Sequence, residues 1–211
     1  MNVQPSRNPV LLIHGIWDTG AIFRPMARYL TDLGWAVYDL SLTPNNGDAC
    51  LDTLAKQVAD YVDQTFPPDT PFDLVGFSMG GLVARYYVQR LGGIRRVQRF
   101  ITLSSPHNGT WVAYGSLRPG CMQMRPNHPF LQDLNRDIAM LDQINFTSIW
   151  TPIDAMIVPA NSSLVSVGRS VKVWVSLHRD MVSDPKSLQA VAAALLEPVN
   201  VKTVQKNVQE A

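Results

Sequence analysis

Short apolar runs alternate along the chain with longer segments in which apolar residues recur every three to four positions. The short runs have the continuity of strands buried on both faces, and the longer segments have the period of amphipathic helices. Six strands are predicted, at Val10–Ile13, Trp35–Leu40, Phe72–Phe77, Val97–Leu103, Phe146–Thr151 and Val171–Leu177. This alternation predicts an α/β fold with three layers, in which a mainly parallel sheet of about six strands carries helices on both faces.

The helical segments between these strands have recognisable ends. The predicted apolar stripes run over residues 22–33, 51–62, 82–91, 130–141 and 188–195. Gly34 is expected to stop the first helix, and Asp184 and Pro185 are expected to start the last one as N-cap and first residue. Since neither a repeat nor a linker is visible, we expect one domain over residues 1–211, with its core at about 9–196 and a frayed tail at 197–211.

Composition and charge exclude several classes of function. The chain has 211 residues, of which 46% are hydrophobic and 17% charged, as in globular proteins. A net charge of +1 gives no indication of a nucleic-acid partner. Four arginines, Arg90, Arg95, Arg96 and Arg99, lie close together. We interpret them as a solvated face, with contact to a lipid headgroup or an anionic substrate as the alternative.

The cysteines and the start of the chain bear on compartment. Cys50 and Cys121 form no CxxC pair and have no neighbouring histidine, so we expect no metal site. They are either free thiols, which we favour, or one disulfide in an exported protein. The first nine residues lack the charged and then apolar layout of a signal peptide. We therefore expect a cytoplasmic protein, or alternatively a secreted one whose signal has been removed. The sequence gives no indication of the oligomeric state.

A GxSxG motif, Gly76-Phe77-Ser78-Met79-Gly80, stands where the third predicted strand meets the next helix. A sharp strand-to-helix turn strains its central residue and presents that side chain at the carboxyl edge of the sheet, near the positive end of the helix. Bulky residues two positions before and after it would collide, which accounts for Gly76 and Gly80. This context predicts Ser78 as a nucleophile rather than an incidental serine in a glycine-rich turn.

A serine hydroxyl needs a neighbouring base, and the base needs an orienting acid. Of the four histidines, His178 directly follows the last predicted strand, which places it above the sheet edge that carries Ser78. Asp154 follows the preceding strand, whereas Asp180 and Asp184 lie beyond the histidine. The order Ser78, Asp154, His178 matches the order of serine, acid and histidine in hydrolases with a strand-to-helix nucleophile.

Acyl transfer also requires N–H donors for the oxyanion that develops on the substrate. One predicted donor is the backbone N–H of Met79, the residue after the nucleophile. The other is the N–H of Ile16, in a turn that Gly15 allows to pass close to Ser78. We expect His14, inside this turn, to make structural hydrogen bonds rather than to act as a base.

Together these residues resemble the small bacterial lipases of the α/β-hydrolase fold, in particular the minimal lidless type known from Bacillus lipase A. The resemblance covers about residues 9–196, and it includes Ser105–Thr110, which is similar to an S/TPHxGT element of bacterial lipases. It implies Ser78, Asp154 and His178 as the catalytic triad, with Ile16 and Met79 as the oxyanion donors. That family is secreted, whereas this chain shows no export signal.

The sequence thus predicts a hydrolase of fatty-acyl esters that needs neither a metal nor an organic cofactor. An acyltransferase or a thioesterase would use the same triad and stays open, whereas a binding module built on this scaffold would be expected to lack a triad residue. The segment Ser104–Asn127 carries several apolar residues. It is either a packed surface loop or an acyl-chain contact surface or small flap. Since few residues are available for a lid, we expect little interfacial activation, and a transient contact with a membrane or lipid surface stays open.

Overall fold

The computed structural model describes residues 7–199 of the chain. Six parallel strands form one sheet in the order β2-β1-β3-β4-β5-β6. The strands are β1 (Val10–Ile13), β2 (Val37–Leu40), β3 (Phe72–Phe77), β4 (Val97–Leu103), β5 (Asn145–Trp150) and β6 (Arg169–Lys172). The predicted three-layer α/β architecture is confirmed.

Residues 7–199 form six α-helices. They are α1 (Arg24–Asp32), α2 (Leu51–Thr65), α3 (Met79–Arg90), α4 (Pro119–Gln123), α5 (Pro129–Arg136) and α6 (Pro185–Leu195). Helices α1 and α6 pack on one face, and α2, α3 and α5 pack on the other. Side chains alternate along β1, so Val10 and Leu12 join the first half of the core and Leu11 and Ile13 the second. All four are fully buried, as expected for a strand covered on both sides.

The predicted boundaries of the last strand are wrong. The strand was expected at Val171–Leu177 but pairs only over Arg169–Lys172. Its partner β5 ends at Trp150, and Pro152 just beyond has no N–H to extend a ladder. Val173 still donates to the carbonyl oxygen of Trp150 at 2.9 Å, and the side chains of Val173 and Val175 are buried in the core. The alternating apolar pattern after Lys172 therefore indicates burial of the side chains rather than further pairing with β5.

Two helical boundaries also differ from the predictions. Helix α3 begins at Met79, directly after the serine, rather than at Leu82. The stripe predicted over 130–141 divides into α5 and a 3₁₀ segment at Ile138–Gln143, although Pro129 does occupy the first turn. At the last helix the prediction is confirmed, because the Asp184 side chain accepts a hydrogen bond from the N–H of Lys186 at 2.8 Å and Pro185 comes first.

The arginine cluster is used mainly in ion pairs. Arg90 contacts two aspartates of the α5 region, at 2.9 and 2.7 Å, and Arg96 lies 3.3 Å from Asp63. Arg99 pairs with the fully buried Asp73 at 3.1 Å. Within residues 7–199 no helix has the length and apolar character needed to cross a membrane. The tail was predicted to fray, and its residues beyond 199 lie outside the part of the chain that the structure describes.

Candidate active site

Ser78 occupies a sharp turn between β3 and α3. Its backbone angles are φ 53° and ψ −123°, a conformation that L-residues rarely adopt. The N–H of Ser78 donates to the carbonyl oxygen of Leu103 on β4 at 2.8 Å, which fixes the turn to the neighbouring strand. Such strain costs about 1–3 kcal/mol and persists only where surrounding structure enforces it. The side chain is thus held at the carboxyl edge of the sheet.

The glycines around Ser78 are required by close backbone contacts. A Cβ atom on Gly76 would lie 2.5 Å from the Cα atom of Gly81, and one on Gly80 would overlap the carbonyl oxygen of Ile13. The approach of the helix to β1 and β3 therefore leaves no room for side chains, as the motif predicted.

His178 and Asp154 lie together at the same edge of the sheet. Nδ1 of His178 is 2.8 Å from Oδ2 and 3.0 Å from Oδ1 of Asp154. The histidine side chain is 12% exposed and the aspartate side chain only 1%, so their contact is shielded from water. Since Nδ1 donates to the carboxylate, Nε2 is left as the free acceptor of the ring.

The aspartate is held as an anion. Burial alone would raise the pKa of Asp154, but the hydrogen bond and charge of His178 oppose it. The backbone N–H groups of Met156 and Ile157 also donate to Oδ1, at 2.9 and 3.0 Å. These donors outweigh burial and bring the Asp154 pKa below its ordinary value.

Ser78 and His178 line one cavity of about 330 Å³. The Phe77 ring packs against the imidazole of His178 with ring centroids 4.9 Å apart, and this contact restrains the imidazole. Asp18 and Arg179 line the same cavity and lie 3.7 Å apart. Sequence reasoning missed these two residues, because an ion pair between distant segments of the chain leaves no local pattern.

The predicted oxyanion donors flank Ser78. Met79 follows it as the first residue of α3, and Ile16 lies in the turn after β1 and lines the cavity. A Cβ on Gly15 would lie 3.1 Å from that of Ser78, so this turn does pass close to the serine. The turn is tied down by Asn45, whose carbonyl oxygen accepts from the Trp17 N–H at 2.7 Å. The Asn45 side chain also donates to the carbonyl oxygen of Asp18 at 2.7 Å. Asn45 was not predicted, since it lies in a distant loop and no local pattern links it to this turn.

The other histidines are engaged elsewhere. His14 is buried and accepts from the Leu42 N–H at Nε2 (2.8 Å), so its Nδ1 donates to the Gly15 carbonyl (2.7 Å). His107 is buried with Nε2 3.0 Å from the Thr102 hydroxyl, and His128 caps α5. Among the described residues, His178 is the histidine that shares a cavity with Ser78.

A second cavity, of about 370 Å³, also begins at Ser78 and is mostly apolar. Much of its wall comes from the segment Ser104–Asn127, which folds into a 3₁₀ turn and α4. The lining residues from this segment include Pro106, Val112, Ala113, Cys121 and Met124. The segment therefore forms a wall of this cavity. The sequence alone had left two interpretations open, a packed surface loop and an acyl-chain contact surface or small flap. Cys121 and Cys50 are free thiols.

Within the part of the chain that the structure describes, no group of three or more His, Cys, Asp or Glu side chains is arranged to hold a metal ion. Ser78 shares a cavity with His178, and the carboxylate of Asp154 contacts that histidine. This arrangement suits acyl transfer by a nucleophile and a base.

Comparison with known proteins finds thioesterases among the sequence relatives and lipases among the structural neighbours. A family model described as Palmitoyl protein thioesterase matches residues 9–139, a segment that contains Ser78, Ile16 and Met79 but ends before Asp154. Palmitoyl-protein thioesterase 3 of Dictyostelium discoideum is 30% identical over 106 residues, which are 48% of this chain and 36% of that protein. Lysosomal thioesterase PPT2 of Mus musculus is 28% identical over 110 residues, 50% of this chain and 36% of that protein. The matched part thus spans about a third of the length of these relatives.

Solved structures share the fold. The mature Bacillus licheniformis lipase BlEst2 superposes with a TM-score of 0.74 and 13% identity, covering 91% of this chain and 93% of that one. Aspergillus fumigatus lipase B gives a TM-score of 0.78 and 18% identity, covering 92% and 53%. The narrower resemblance to the minimal Bacillus lipase A type is not confirmed by these comparisons. Because the family model matches well over half of the chain, this protein belongs to the palmitoyl protein thioesterase family, within the α/β-hydrolase superfamily.

Proposed function

We propose that this protein hydrolyses long-chain fatty-acyl thioesters, with Ser78 as nucleophile, His178 as base and Asp154 as the acid that orients it. The observation that carries the proposal is the contact between Asp154 and Nδ1 of His178 at the edge where Ser78 projects. It leaves Nε2 available as the acceptor for the serine proton in the cavity that the two residues share, and a charged Asp154 would stabilise the imidazolium that results.

The reaction would run in two steps. Ser78 Oγ attacks the acyl carbon while its proton passes to His178, and the N–H groups of Ile16 and Met79 stabilise the oxyanion. The carbon–sulfur bond breaks, and the leaving thiolate takes the proton from His178. A water molecule then gives a proton to His178 and attacks the acyl-enzyme ester. The bond between the acyl carbon and Ser78 Oγ breaks, His178 returns the proton to Oγ, and the fatty acid is released.

A long acyl chain is supported by the apolar cavity of about 370 Å³ that opens beside Ser78. Burial of each methylene is worth about 0.8 kcal/mol, so a cavity lined by Val112, Ala113 and Met124 favours long chains over acetyl. The smaller cavity on the His178 side would receive the leaving group.

Carboxylic esters are the second candidate substrate. The same machinery cleaves oxygen esters, and the structural neighbours are lipases and esterases. We rank thioesters first because the family match and both curated relatives are thioesterases. Acyl transfer to an alcohol in place of water is the remaining alternative.

The test compares kcat/KM for palmitoyl-CoA with kcat/KM for p-nitrophenyl palmitate, using wild type and Ser78→Ala. We expect both substrates to require Ser78 and the thioester to be preferred. An ester preference would make the protein a carboxylic ester hydrolase. Activity that survives Ser78→Ala would refute the proposed mechanism. Product analysis in water with added glycerol separates hydrolysis from acyl transfer.

A further inference from the structure

Large apolar side chains surround the entrance to the apolar cavity and are exposed to solvent. Trp17 is 62% exposed, Trp111 60% and Leu117 82%. We define the apolar rim as these residues together with their exposed neighbours, which gives Trp17, Trp111, Val112, Tyr114, Leu117 and Met156. A contiguous exposed patch of this kind on a protein surface usually marks an interaction site.

The rim residues lie on the cavity wall or next to it in the chain. Trp17, Val112 and Met156 line the apolar cavity, and Trp111, Tyr114 and Leu117 each adjoin a lining residue in sequence. The Thr110 hydroxyl donates to the carbonyl oxygen of Met156 at 2.8 Å, which joins the two loops that carry most of the rim. The rings of Trp111 and Tyr114 stack with centroids 5.4 Å apart.

Positive charge accompanies the rim. The segment Ser104–Asn127 contains Arg118 and Arg125 and no aspartate or glutamate, whereas the whole chain has a net charge of only +1. The Arg125 guanidinium lies 4.8 Å from the Tyr114 ring centroid and donates to the carbonyl oxygen of Ser116. Arg118 contacts Asp48 at 3.0 Å, but both side chains are about half exposed, so the pair is weak and readily exchanged.

We propose that the apolar rim docks on an anionic phospholipid surface, with its aromatic side chains at headgroup depth and Arg118 and Arg125 against lipid phosphates. Tryptophan and tyrosine favour the membrane interface, and basic residues near it add about 1 kcal/mol each on anionic lipid. The inference rests on the proposed function in one respect: an acyl chain leaving the bilayer would enter the cavity beside Ser78 without crossing water.

A second copy of the chain fits the rim less well. A two-fold interface through the rim would set the arginines of one copy close to those of the other, and like charges oppose such a contact. Anionic headgroups neutralise the same arginines instead.

The test is co-sedimentation of the Ser78→Ala protein with vesicles of phosphatidylcholine alone or mixed equally with phosphatidylglycerol. We expect binding to the mixed vesicles that weakens as salt rises. The double change Trp111→Ser with Leu117→Ser should lower the partition coefficient at least about tenfold. The matched control is Leu196→Ser, which changes an exposed leucine at the end of α6. Leu196 is remote from the rim, because the carbonyl of the next residue, Glu197, binds Arg99 at the opposite edge of the sheet.

Equal partitioning of the double variant and the Leu196→Ser control would overturn the proposal, and so would equal binding to both kinds of vesicle. If sedimentation velocity shows dimers of the protein with the native rim and monomers of the double variant, the rim is assigned to self-association instead. The same double change can also be made in the active protein, with Ser78 intact, and assayed on a soluble S-palmitoyl peptide without vesicles. A loss of turnover in this assay would assign the rim to peptide binding instead. Because vesicle binding is measured on a protein without the nucleophile, it fails or succeeds independently of the proposed reaction.

Discussion

The carboxylate of Asp154 faces Nδ1 of His178 with both of its oxygens, Oδ2 at 2.8 Å and Oδ1 at 3.0 Å. The same Oδ1 accepts two backbone hydrogen bonds, so the acid cannot rotate without losing them. The aspartate therefore fixes both the tautomer and the direction of the imidazole. This contact is the part of the site on which the proposed proton transfer depends most.

Asp154→Asn should remove this control while preserving side-chain volume. An amide can donate to Nδ1 and stabilise the wrong tautomer, so we expect kcat to fall by roughly 10³–10⁴-fold. Steady-state kinetics on p-nitrophenyl butyrate measures the effect. Asp180→Asn, an exposed acid two residues beyond the histidine, is the matched control and should retain activity. A similar loss in both variants would argue against a specific role for Asp154.

Gly15→Ala should disturb the proposed oxyanion site. The added methyl would lie 3.1 Å from the Cβ of Ser78 and would push the turn that carries the Ile16 N–H away from the serine. We expect kcat to fall by about 10²-fold with KM little changed, because the lost contact acts on the transition state. Gly34→Ala, in the turn after α1 and outside both cavities, strains a backbone with φ 93° and serves as the control for a general effect on folding. An unchanged kcat in Gly15→Ala would contradict the assignment of Ile16.

Ala113→Leu should shorten the acyl chains that the protein accepts. Ala113 lines the apolar cavity, and the larger side chain displaces methylenes worth about 0.8 kcal/mol each. We expect the ratio of kcat/KM for palmitoyl to butyryl esters to fall at least about tenfold. Ala193→Leu, on the exposed side of α6, should leave the ratio unchanged. If the ratio is the same in both variants, acyl chains bind elsewhere.

Stability should depend on pH through His107. Burial holds the pKa of His107 well below its ordinary value of 6.5, so below pH 6.5 the unfolded chain takes up a proton that the folded chain does not. The free energy of unfolding should therefore fall by about 1.4 kcal/mol per pH unit for this residue as pH decreases from 6.5.

His107→Gln should lose this contribution, so urea unfolding at several pH values would show a flatter profile than wild type. The comparison with wild type is needed because Asp73, whose pKa burial raises to about 6, changes stability in the opposite sense as pH falls. Parallel profiles for the two proteins would show that His107 does not remain neutral in the folded state.

Local sequence pattern was enough to predict the parallel sheet and the residues that meet above it. At a strand-to-helix turn the GxSxG motif adopts a characteristic sharp turn, and the loops that follow parallel strands all lie at the carboxyl edge of the sheet. Asp154 and His178 could therefore be assigned by their positions after consecutive strands, although 24 residues separate them.

The details that failed depend on contacts that leave no pattern in the chain. The end of β6 is decided by Pro152, which follows the neighbouring strand, whereas Val173 and Val175 keep the alternation of a strand while packing into the core. Asn45 supports the turn that carries Ile16 from a distant loop, because its carbonyl oxygen accepts from the Trp17 N–H and its Nδ2 donates to the carbonyl oxygen of Asp18. Exact strand ends and backbone supports thus require the three-dimensional arrangement.

The most direct measurement is the rate and site of fluorophosphonate labelling, followed by mass spectrometry of the peptides. We expect a single adduct on Ser78 in the wild type. Labelling should be much slower in His178→Gln, because the serine then has no base to accept its proton. No adduct in the wild type, an adduct on another serine, or equal rates in wild type and His178→Gln would contradict activation of Ser78 by His178.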